Sequence, residues 1–174
     1  MEIREAQSND LSALSKLAHK TYSETFGHSM SAEELQTELQ SNKSETYFKN
    51  AIEKTGNTFL IAETNNTIIG YIGLRDPNFT MTGRQPKSKD QALNGIYVDS
   101  NHQGQGIGRK LMDAAFNHPR FLNAENIYLS VWEENKPAYN FYLTYGFKVV
   151  GEREIIINDK IVGHDLVLMR PAKT

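Results

Sequence analysis

The stretch Leu93-Asn-Gly-Ile-Tyr-Val98 has the pattern of an apolar strand, and Asn101-His-Gln-Gly-Gln-Gly-Ile-Gly108 follows it as a glycine-rich turn. Gly95 inside the strand indicates a bulge or the close approach of another backbone. After the turn, apolar residues recur at helical spacing, which predicts a helix over residues 104–117. We therefore expect a strand that enters a helix through a turn with few side chains.

The turn has the spacing Gln103-x-x-Gly106-x-Gly108, which favours anion binding. The first N–H groups of a helix have no partner within the helix and carry partial positive charge. Glycines let a diphosphate approach these groups directly, and Arg109 and Lys110 are placed to reach further phosphates. The turn therefore predicts a cradle for a pyrophosphate, although similar turns also occur as plain tight connections.

Two familiar phosphate-binding motifs do not match this turn. A dinucleotide fingerprint needs G-x-G-x-x-G in a first strand–helix–strand unit, whereas Gly104, Gly106 and Gly108 form G-x-G-x-G in the middle of the chain. A Walker loop ends in Gly-Lys followed by Ser or Thr, whereas Gly108 precedes Arg109 and Lys110. A nucleotide site and a purely structural turn remain open as alternatives.

Hydrophobic periodicity predicts the other elements of the chain. Strands are expected at residues 1–6, 58–63, 67–74, 93–98, 126–132, 147–157 and 160–169, and helices at 9–25, from Ser31 onward, at 104–117 and at 136–145. The polar stretch 76–90 is either a functional loop or a disordered one. The order β-α-α-β-β-β-α-β-α-β-β predicts an α/β (α+β) fold, in which a mixed sheet carries helices on its faces.

Several local signals predict where these elements end. Ser8-Asn-Asp10 offers N-cap chemistry for the first helix, and Gly27 is expected to end that helix. Ser31 and Glu34 form a capping-box pattern, and the apolar stripe after them is broken near Asn42. Asn65-Asn66 and Asn158-Asp159 predict hairpin turns.

Composition limits the class of protein. The 174 residues predict a single domain over 1–174, and a net charge of −2 argues against a nucleic-acid partner. The chain has no cysteine, which excludes disulfides, thiolate metal sites and a cysteine nucleophile. Its five histidines lack metal-ligand spacing, so we expect no metal. Without a membrane-length apolar run or a signal-peptide pattern, we expect a cytoplasmic protein with no membrane partner.

A second motif carries a family resemblance. It is Val131-Trp-Glu-Glu-Asn-Lys-Pro-Ala-Tyr-Asn-Phe-Tyr-Leu-Thr-Tyr-Gly-Phe147, with the skeleton N-x-x-A-x-x-F-Y-x-x-x-G-F. Together with the glycine turn and Ile96-Tyr-Val98, it resembles the GCN5-related N-acetyltransferase (GNAT) family over residues 93–147. Residues 131–138 and Glu24-Thr-Phe26 look most like the diamine (spermidine/spermine-type) acetyltransferase branch. The resemblance implies a mostly antiparallel sheet of six to seven strands with helices on both faces.

The resemblance also implies acetyl-CoA as co-substrate and a set of residues that bind it. The family's glycine loop holds the CoA pyrophosphate, and its bulged strand offers backbone amides to pantetheine and to the acetyl carbonyl. An N–H group aimed at that carbonyl would stabilise negative charge on its oxygen. Carried over to this chain, the cofactor-binding residues are Ile96, Tyr97, Val98, Gln103, Gly104, Gln105, Gly106, Ile107, Gly108, Arg109, Lys110, Asn135, Ala138 and Tyr142.

The resemblance makes Tyr142 the candidate catalytic acid, because a hydroxyl that donates to the thiolate sulfur helps CoA leave. From the residues alone, Tyr142 also fits core packing, since Ala138, Phe141, Tyr142 and Tyr145 share one helical face. Many family members carry a glutamate base at the position of Asn94, and an amide cannot accept a proton at neutral pH. Glu24, Tyr97 and Asp90 are the candidate replacements, and the alternative is that some amines need no strong base because bulk solvent takes the proton.

We expect the acceptor to be a primary amine of a small molecule, such as a polyamine, or of a protein or peptide. It would attack acetyl-CoA directly in a ternary complex, in a groove walled by residues 20–34, the 76–92 loop and the tip of the last hairpin. Arg84, Lys87 and Lys89 in the loop favour an acceptor with a carboxylate or phosphate over a polyamine. A non-catalytic acyl-CoA-binding sensor is the alternative function, and a homodimer is one candidate assembly.

Overall fold

The structure is a computed structural model and describes residues 1–55, 57–77, 81–83 and 85–173. Its strands are β1 (Glu2–Glu5), β2 (Thr58–Thr64), β3 (Thr67–Arg75), β4 (Gln91–Val98), β5 (Asn126–Trp132), β6 (Lys148–Ile157) and β7 (Lys160–Pro171). Its helices are α1 (Leu11–Phe26), α2 (Ala32–Asn42), α3 (Glu45–Thr55), α4 (Ile107–Phe116), α5 (Pro119–Leu122) and α6 (Lys136–Thr144). None of the helices in the described ranges is long and apolar enough to cross a membrane.

The described strands form one seven-stranded sheet in the order β1-β2-β3-β4-β5-β7-β6. β4 pairs with β5 in parallel, whereas β1–β2, β2–β3, β5–β7 and β6–β7 pair antiparallel. This confirms the predicted mixed α/β fold. The break predicted near Asn42 is the boundary between α2 and α3. The structure adds the short helix α5 after His118, and the ring nitrogen of His118 accepts the Arg120 N–H.

The chain divides into two compact units, and the single domain over 1–174 stays a prediction. The first unit comprises residues 1–74 and 96–115. Its core joins α1 and α3 to β2 and β3 through apolar side chains that are nearly all inaccessible to solvent. Gly70 on β3 matters here, because a Cβ at this position would lie only 3.2 Å from Leu111 and 3.4 Å from Ile107 of α4. The core residues include Leu14, Ala18, Phe48, Phe59, Ile61 and Tyr71.

The second unit comprises residues 75–95 and 116–174, of which all but 78–80, 84 and 174 are described. A cluster of Met81, Ala92, Tyr128 and Val167 forms part of its core. The predicted loop 76–90 contributes to this core, since Met81 is 6% exposed. The backbone N–H of Thr82 also donates to the carbonyl of Glu152 on β6 at 2.9 Å. The described part of this loop is therefore anchored, while Arg84 lies outside the described residues.

Most predicted element ends are confirmed. Ser31 and Glu34 form the capping box of α2. The turns at 65–66 and 158–159 have positive φ at all four residues, as type I′ hairpins require. Asp10 is the N-cap residue of α1, as the Ser8-Asn-Asp10 pattern indicated, but its carboxylate accepts bonds from Arg4 and from the Gln7 N–H and makes no cap bond to α1. A 3-10 turn over residues 8–10 precedes α1 and turns this side chain back towards β1.

Candidate active site

The end of β4 changes character at Gly95. The parallel register between β4 and β5 consists of Gln91–Ile127, Ala92–Tyr128 and Leu93–Leu129, and it ends there. Gly95 has a φ of +81°, in the left-handed region that favours glycine, as the sequence pattern indicated. Ala92 and Leu93 are fully buried, whereas residues 94–98 are half-buried. The strand therefore becomes more exposed just after its parallel pairing with β5 ends.

Asp99 anchors the start of the glycine loop in the first unit. Its carboxylate accepts a bond from the Lys20 ammonium of α1 at 2.7 Å and from the Asn101 N–H at 2.8 Å. The bond from Lys20 lowers the pKa of Asp99 below its usual value. Its N–H also donates to the carbonyl of Ile69 on β3 at 2.9 Å. The loop therefore begins from a backbone held by a helix and a neighbouring strand.

The loop itself is exposed and glycine-rich. Gly104 and Gly106 have φ values of +75° and +76°, and a Cβ built on either would meet no atom within 4 Å. Glycine is needed here for backbone conformation and leaves the surface open. The positive φ values also explain why α4 begins at Ile107, later than the predicted residue 104. The Gln103 side-chain amide donates to the Val98 carbonyl at 3.2 Å, which ties the loop to the end of β4.

The remaining predicted residues of this segment occupy different environments. Arg109 and Lys110 are exposed in the first turn of α4, and Gln105 is exposed in the loop. Ile107 is 4% exposed and packs towards Gly70, while Gly108 is half-buried. In the segment from Ile96 to Lys110, the cations of α4 are therefore exposed and Ile107 is buried.

Aromatic rings hold the side chain of Tyr97. Its ring stacks on Tyr71 of β3 with centroids 5.1 Å apart, and burial raises the pKa of Tyr71 well above its usual value. The ammonium of Lys43 lies 5.3 Å from the Tyr97 ring and 5.0 Å from the ring of Tyr22 on α1. Such cation–π contacts stabilise an ammonium among aromatic faces. The Tyr97 ring therefore packs within the first unit, and its backbone is the part expected to contact the cofactor.

In the second unit, Asn135 is the N-cap residue of α6, and Tyr142 lies within that helix. The Asn135 side-chain oxygen caps α6 by accepting the Ala138 N–H at 3.2 Å. Tyr142 is 4% exposed, and its ring packs edge-on against Phe141 and Phe147. Tyr142 is therefore a packing residue through its ring, and the hydroxyl remains as the group for any chemical role.

The candidate bases named from the sequence have other partners. Glu24 accepts the Ser100 hydroxyl at 3.1 Å. Asp90 is fully buried beside the N-terminal end of β4, where it accepts the Asn126 amide and the Lys87 N–H, both at 2.8 Å. Asn94 is half-buried next to Gly95. Asp90 thus lies before the parallel pairs of β4 with β5, away from Gly95.

The sequence patterns did not single out Ser130 on β5 or Asp165 on β7. Asp165 is 8% exposed and lies directly opposite Trp132 in the β5–β7 register. The available signal was that Asp165 lies two residues before the buried Val167 and therefore shares the inward face of the strand. A charged residue on that face is unusual. Within the described ranges, no group of three or more His, Asp or Glu side chains could hold a metal ion.

Comparison with known proteins bears on the family of this chain. Residues 12–147 match the model of the Acetyltransferase (GNAT) family. An uncharacterized N-acetyltransferase in the pepI 3′ region of Lactobacillus delbrueckii subsp. lactis is 24% identical over 159 residues, covering 91% of both chains. The spermine/spermidine N(1)-acetyltransferase of Bacillus subtilis is 32% identical over 81 residues, covering 42% of this chain and 53% of that protein.

Among solved structures, a PaiA N-acetyltransferase from Thermoplasma acidophilum, crystallised in complex with coenzyme A, is similar. It has a TM-score of 0.77 and 22% sequence identity, and the match covers 98% of each chain. This likeness concerns the fold. Because the family model spans most of the sequence, including the glycine loop and α6, the chain belongs to the Acetyltransferase (GNAT) family.

Proposed function

We infer that this protein is an acetyl-CoA-dependent N-acetyltransferase that acetylates a primary amine by direct attack in a ternary complex. The observation that carries this inference is the segment from Gly95 to Lys110. In it, an irregular strand end runs into a loop of positive-φ glycines and then into the N-terminus of α4. Membership of the acetyltransferase family gives the class of reaction.

The glycine loop fits the diphosphate of the coenzyme. The open space at Gly104 and Gly106 lets phosphate oxygens approach backbone N–H groups. The start of α4 adds partial positive charge, and the exposed Arg109 and Lys110 add full charges. We assign residues 103–110 to pyrophosphate binding. Gln103 would act through its backbone, since its side chain is bonded to Val98.

The end of β4 and the start of α6 supply the other coenzyme contacts. The N–H groups of Ile96 and Val98 are assigned to pantetheine and to the acetyl carbonyl, where a donor stabilises negative charge on the oxygen. Support comes from the register of β4 with β5, which ends before Gly95. Asn135 uses its side-chain oxygen to cap α6, which leaves its Nδ2 group as a donor. Ala138 is the neighbouring contact on the same turn of α6.

Tyr142 is assigned the role of acid. Acetyl-CoA supplies an activated acetyl group as a thioester, and its thiolate leaves more readily when a hydroxyl donates a proton to sulfur. The ring of Tyr142 is fixed edge-on by Phe141 and Phe147, so its hydroxyl has a defined position. A positioned donor costs little reorganisation when the thiolate forms.

The acceptor is assigned only as a primary amine, of a small molecule or of a peptide. Positive charge on the described acceptor-side residues favours an acceptor that is not polycationic. Lys87 and Lys89 are exposed in the 76–92 loop, one wall of the expected groove. An amine that also carries a carboxylate would balance this charge. Spermidine and a peptide with a free α-amino group are the contrasting probes.

The first test is thermal unfolding with acetyl-CoA, CoA, ATP and NAD. A ligand at about 100 times its Kd adds about 2.7 kcal/mol to the free energy of unfolding. For a chain of this size, we expect acetyl-CoA and CoA to raise Tm by roughly 5–10 °C. ATP and NAD should leave Tm unchanged, because they lack pantetheine. An equal shift with ATP would break the link between the glycine loop and coenzyme A.

Asn94 favours a second candidate function, a non-catalytic acyl-CoA-binding sensor. An amide at this position cannot take a proton from the acceptor. The sensor would bind acetyl-CoA tightly and release no CoA when amines are added. Measuring CoA release with spermidine, butylamine and an alanyl peptide separates the two functions, because turnover with any of them excludes the sensor.

A further inference from the structure

A buried carboxylate lies next to the point where β4 and β5 separate. Asp165 on β7 is 8% exposed. Arg153 of β6 donates its Nε–H to the Asp165 carboxylate at 3.0 Å, and the Ser130 side chain of β5 hydrogen-bonds to the same carboxylate. Asp165 is thus held by the two strands on either side of β7.

The connection to the separated strands runs through Ser130. The last parallel pair of β4 and β5 is Leu93–Leu129. Ser130 is the next residue of β5, and from there β5 continues to pair with β7, as far as Trp132 opposite Asp165. The Asp165 carboxylate therefore lies within one hydrogen bond of the first residue beyond the separation. Asn94 is the corresponding next residue of β4.

The electrostatics of Asp165 differ from those of an ordinary ion pair. Burial raises the pKa of Asp165 although Arg153 and Ser130 lower it. Asp10 in the first unit is also paired with an arginine, Arg4, and this bond lowers the pKa of Asp10 below its usual value. Carboxyl groups with raised pKa values are concentrated at functional sites, because they are stronger bases than free carboxylates.

Among the residues that the structure describes, Asp165 forms an ion pair with Arg153. Arg153 faces it from β6, and Ser130 and Trp132 face it from β5. The adjacent His164 and Glu133 are about half exposed and lie 3.8 Å from each other.

We propose that Asp165, positioned by Arg153 and Ser130, is the proton acceptor for the amine and takes over the role that Asn94 cannot perform. This rests on the proposed acetyltransferase function. The acceptor ammonium gives one proton to the Asp165 carboxylate. The neutral nitrogen forms the N–C bond at the thioester carbonyl, and the C–S bond breaks.

The protons balance as follows. Tyr142 gives its hydroxyl proton to the sulfur of the leaving CoA. The second proton lost by the amine nitrogen returns to Tyr142 through solvent, and Asp165 releases its proton to solvent. The products are the amide, CoA with a free thiol and one proton.

The test compares Asp165→Asn and Asp165→Glu with wild type. Asp10→Asn is the matched control, since Asp10 is another buried carboxylate that is paired with an arginine, Arg4, and it has no assigned role in the reaction. CoA release is measured with spermidine, butylamine and an alanyl peptide between about pH 6 and pH 9.5, where the amines remain largely protonated at the lower end. Acetyl-CoA affinity and Tm are measured for each variant.

Loss of a general base lowers kcat roughly 100-fold near pH 7. We expect this loss in Asp165→Asn, shrinking towards high pH as the amine loses its proton unaided. Asp165→Glu should recover part of the activity, and acetyl-CoA affinity should not change. Asp10→Asn should keep the wild-type pH profile, even if its Tm falls.

Three outcomes separate the claims. If Asp165→Asn turns over a probe with the wild-type pH profile, the proposal is wrong and the acetyltransferase function stands. If the variant loses activity equally at every pH together with Tm, Asp165 is a structural ion-pair residue. If wild type binds acetyl-CoA and acetylates none of the probes, the proposed function fails, and the proposal fails with it.

Discussion

Tyr142 combines a packing role and a chemical role in different parts of one side chain. The ring lies between Phe141 and Phe147, with centroid distances of 5.7 and 6.0 Å. Phenylalanine preserves these ring contacts and removes only the hydroxyl. The substitution therefore separates the assigned acid role from the packing role.

We expect Tyr142→Phe to lower kcat about 100-fold, because general acid assistance to a leaving group contributes on this scale. The free energy of unfolding should change by only about 1 kcal/mol, the usual value of one hydrogen bond. Tyr139→Phe, on the same helix, is the control and should keep wild-type kcat. An unchanged kcat across pH in Tyr142→Phe would remove the acid role.

At the scale of the element, the glycine loop depends on backbone conformation and not on close packing. Gly106 and Gly146 form a matched pair, since their φ values are +76° and +79° and a Cβ at either would meet no atom within 4 Å. An alanine at either position costs the same left-handed strain, about 1–2 kcal/mol. Only Gly106 lies in the loop assigned to pyrophosphate.

We expect Gly106→Ala and Gly146→Ala to lower Tm by similar amounts in the absence of ligand. With acetyl-CoA, Gly146→Ala should show the wild-type rise in Tm, whereas Gly106→Ala should lose most of it. The methyl group and the altered backbone would obstruct the approach of phosphate to the N–H groups. Equal rises in both variants would place the pyrophosphate elsewhere.

At the scale of the whole molecule, the chain has no cysteine with which to form a thioester intermediate. This favours direct attack on acetyl-CoA while both substrates are bound. Initial rates measured against acetyl-CoA at several fixed amine concentrations should give intersecting double-reciprocal lines. Parallel lines, the sign of a ping-pong mechanism, would instead require a covalent acetyl-enzyme on another nucleophile.

Most of the fold followed from local signals in the sequence. The Asn-Asn and Asn-Asp turns, the Ser31–Glu34 capping box and the apolar periodicity of α6 each act within a few residues. The GNAT motifs are also continuous segments, so the family and the coenzyme could be named from them. Positive φ at Gly104 and Gly106 is local too, but it shifted the start of α4 to Ile107, because such residues do not continue a helix.

Features that depend on neighbours distant in sequence emerged from the tertiary structure. The Asp10 carboxylate bonds to Arg4 and makes no cap bond to α1, and Met81 enters the core of the second unit from a stretch that is polar in sequence. The clearest case is Asp165, whose partners Ser130 and Arg153 come from two other strands. Strand register determines which side chains meet, and register depends on long-range packing. Periodicity can therefore place a residue on a strand face, but it does not identify the cross-strand partners that set the residue's charge state.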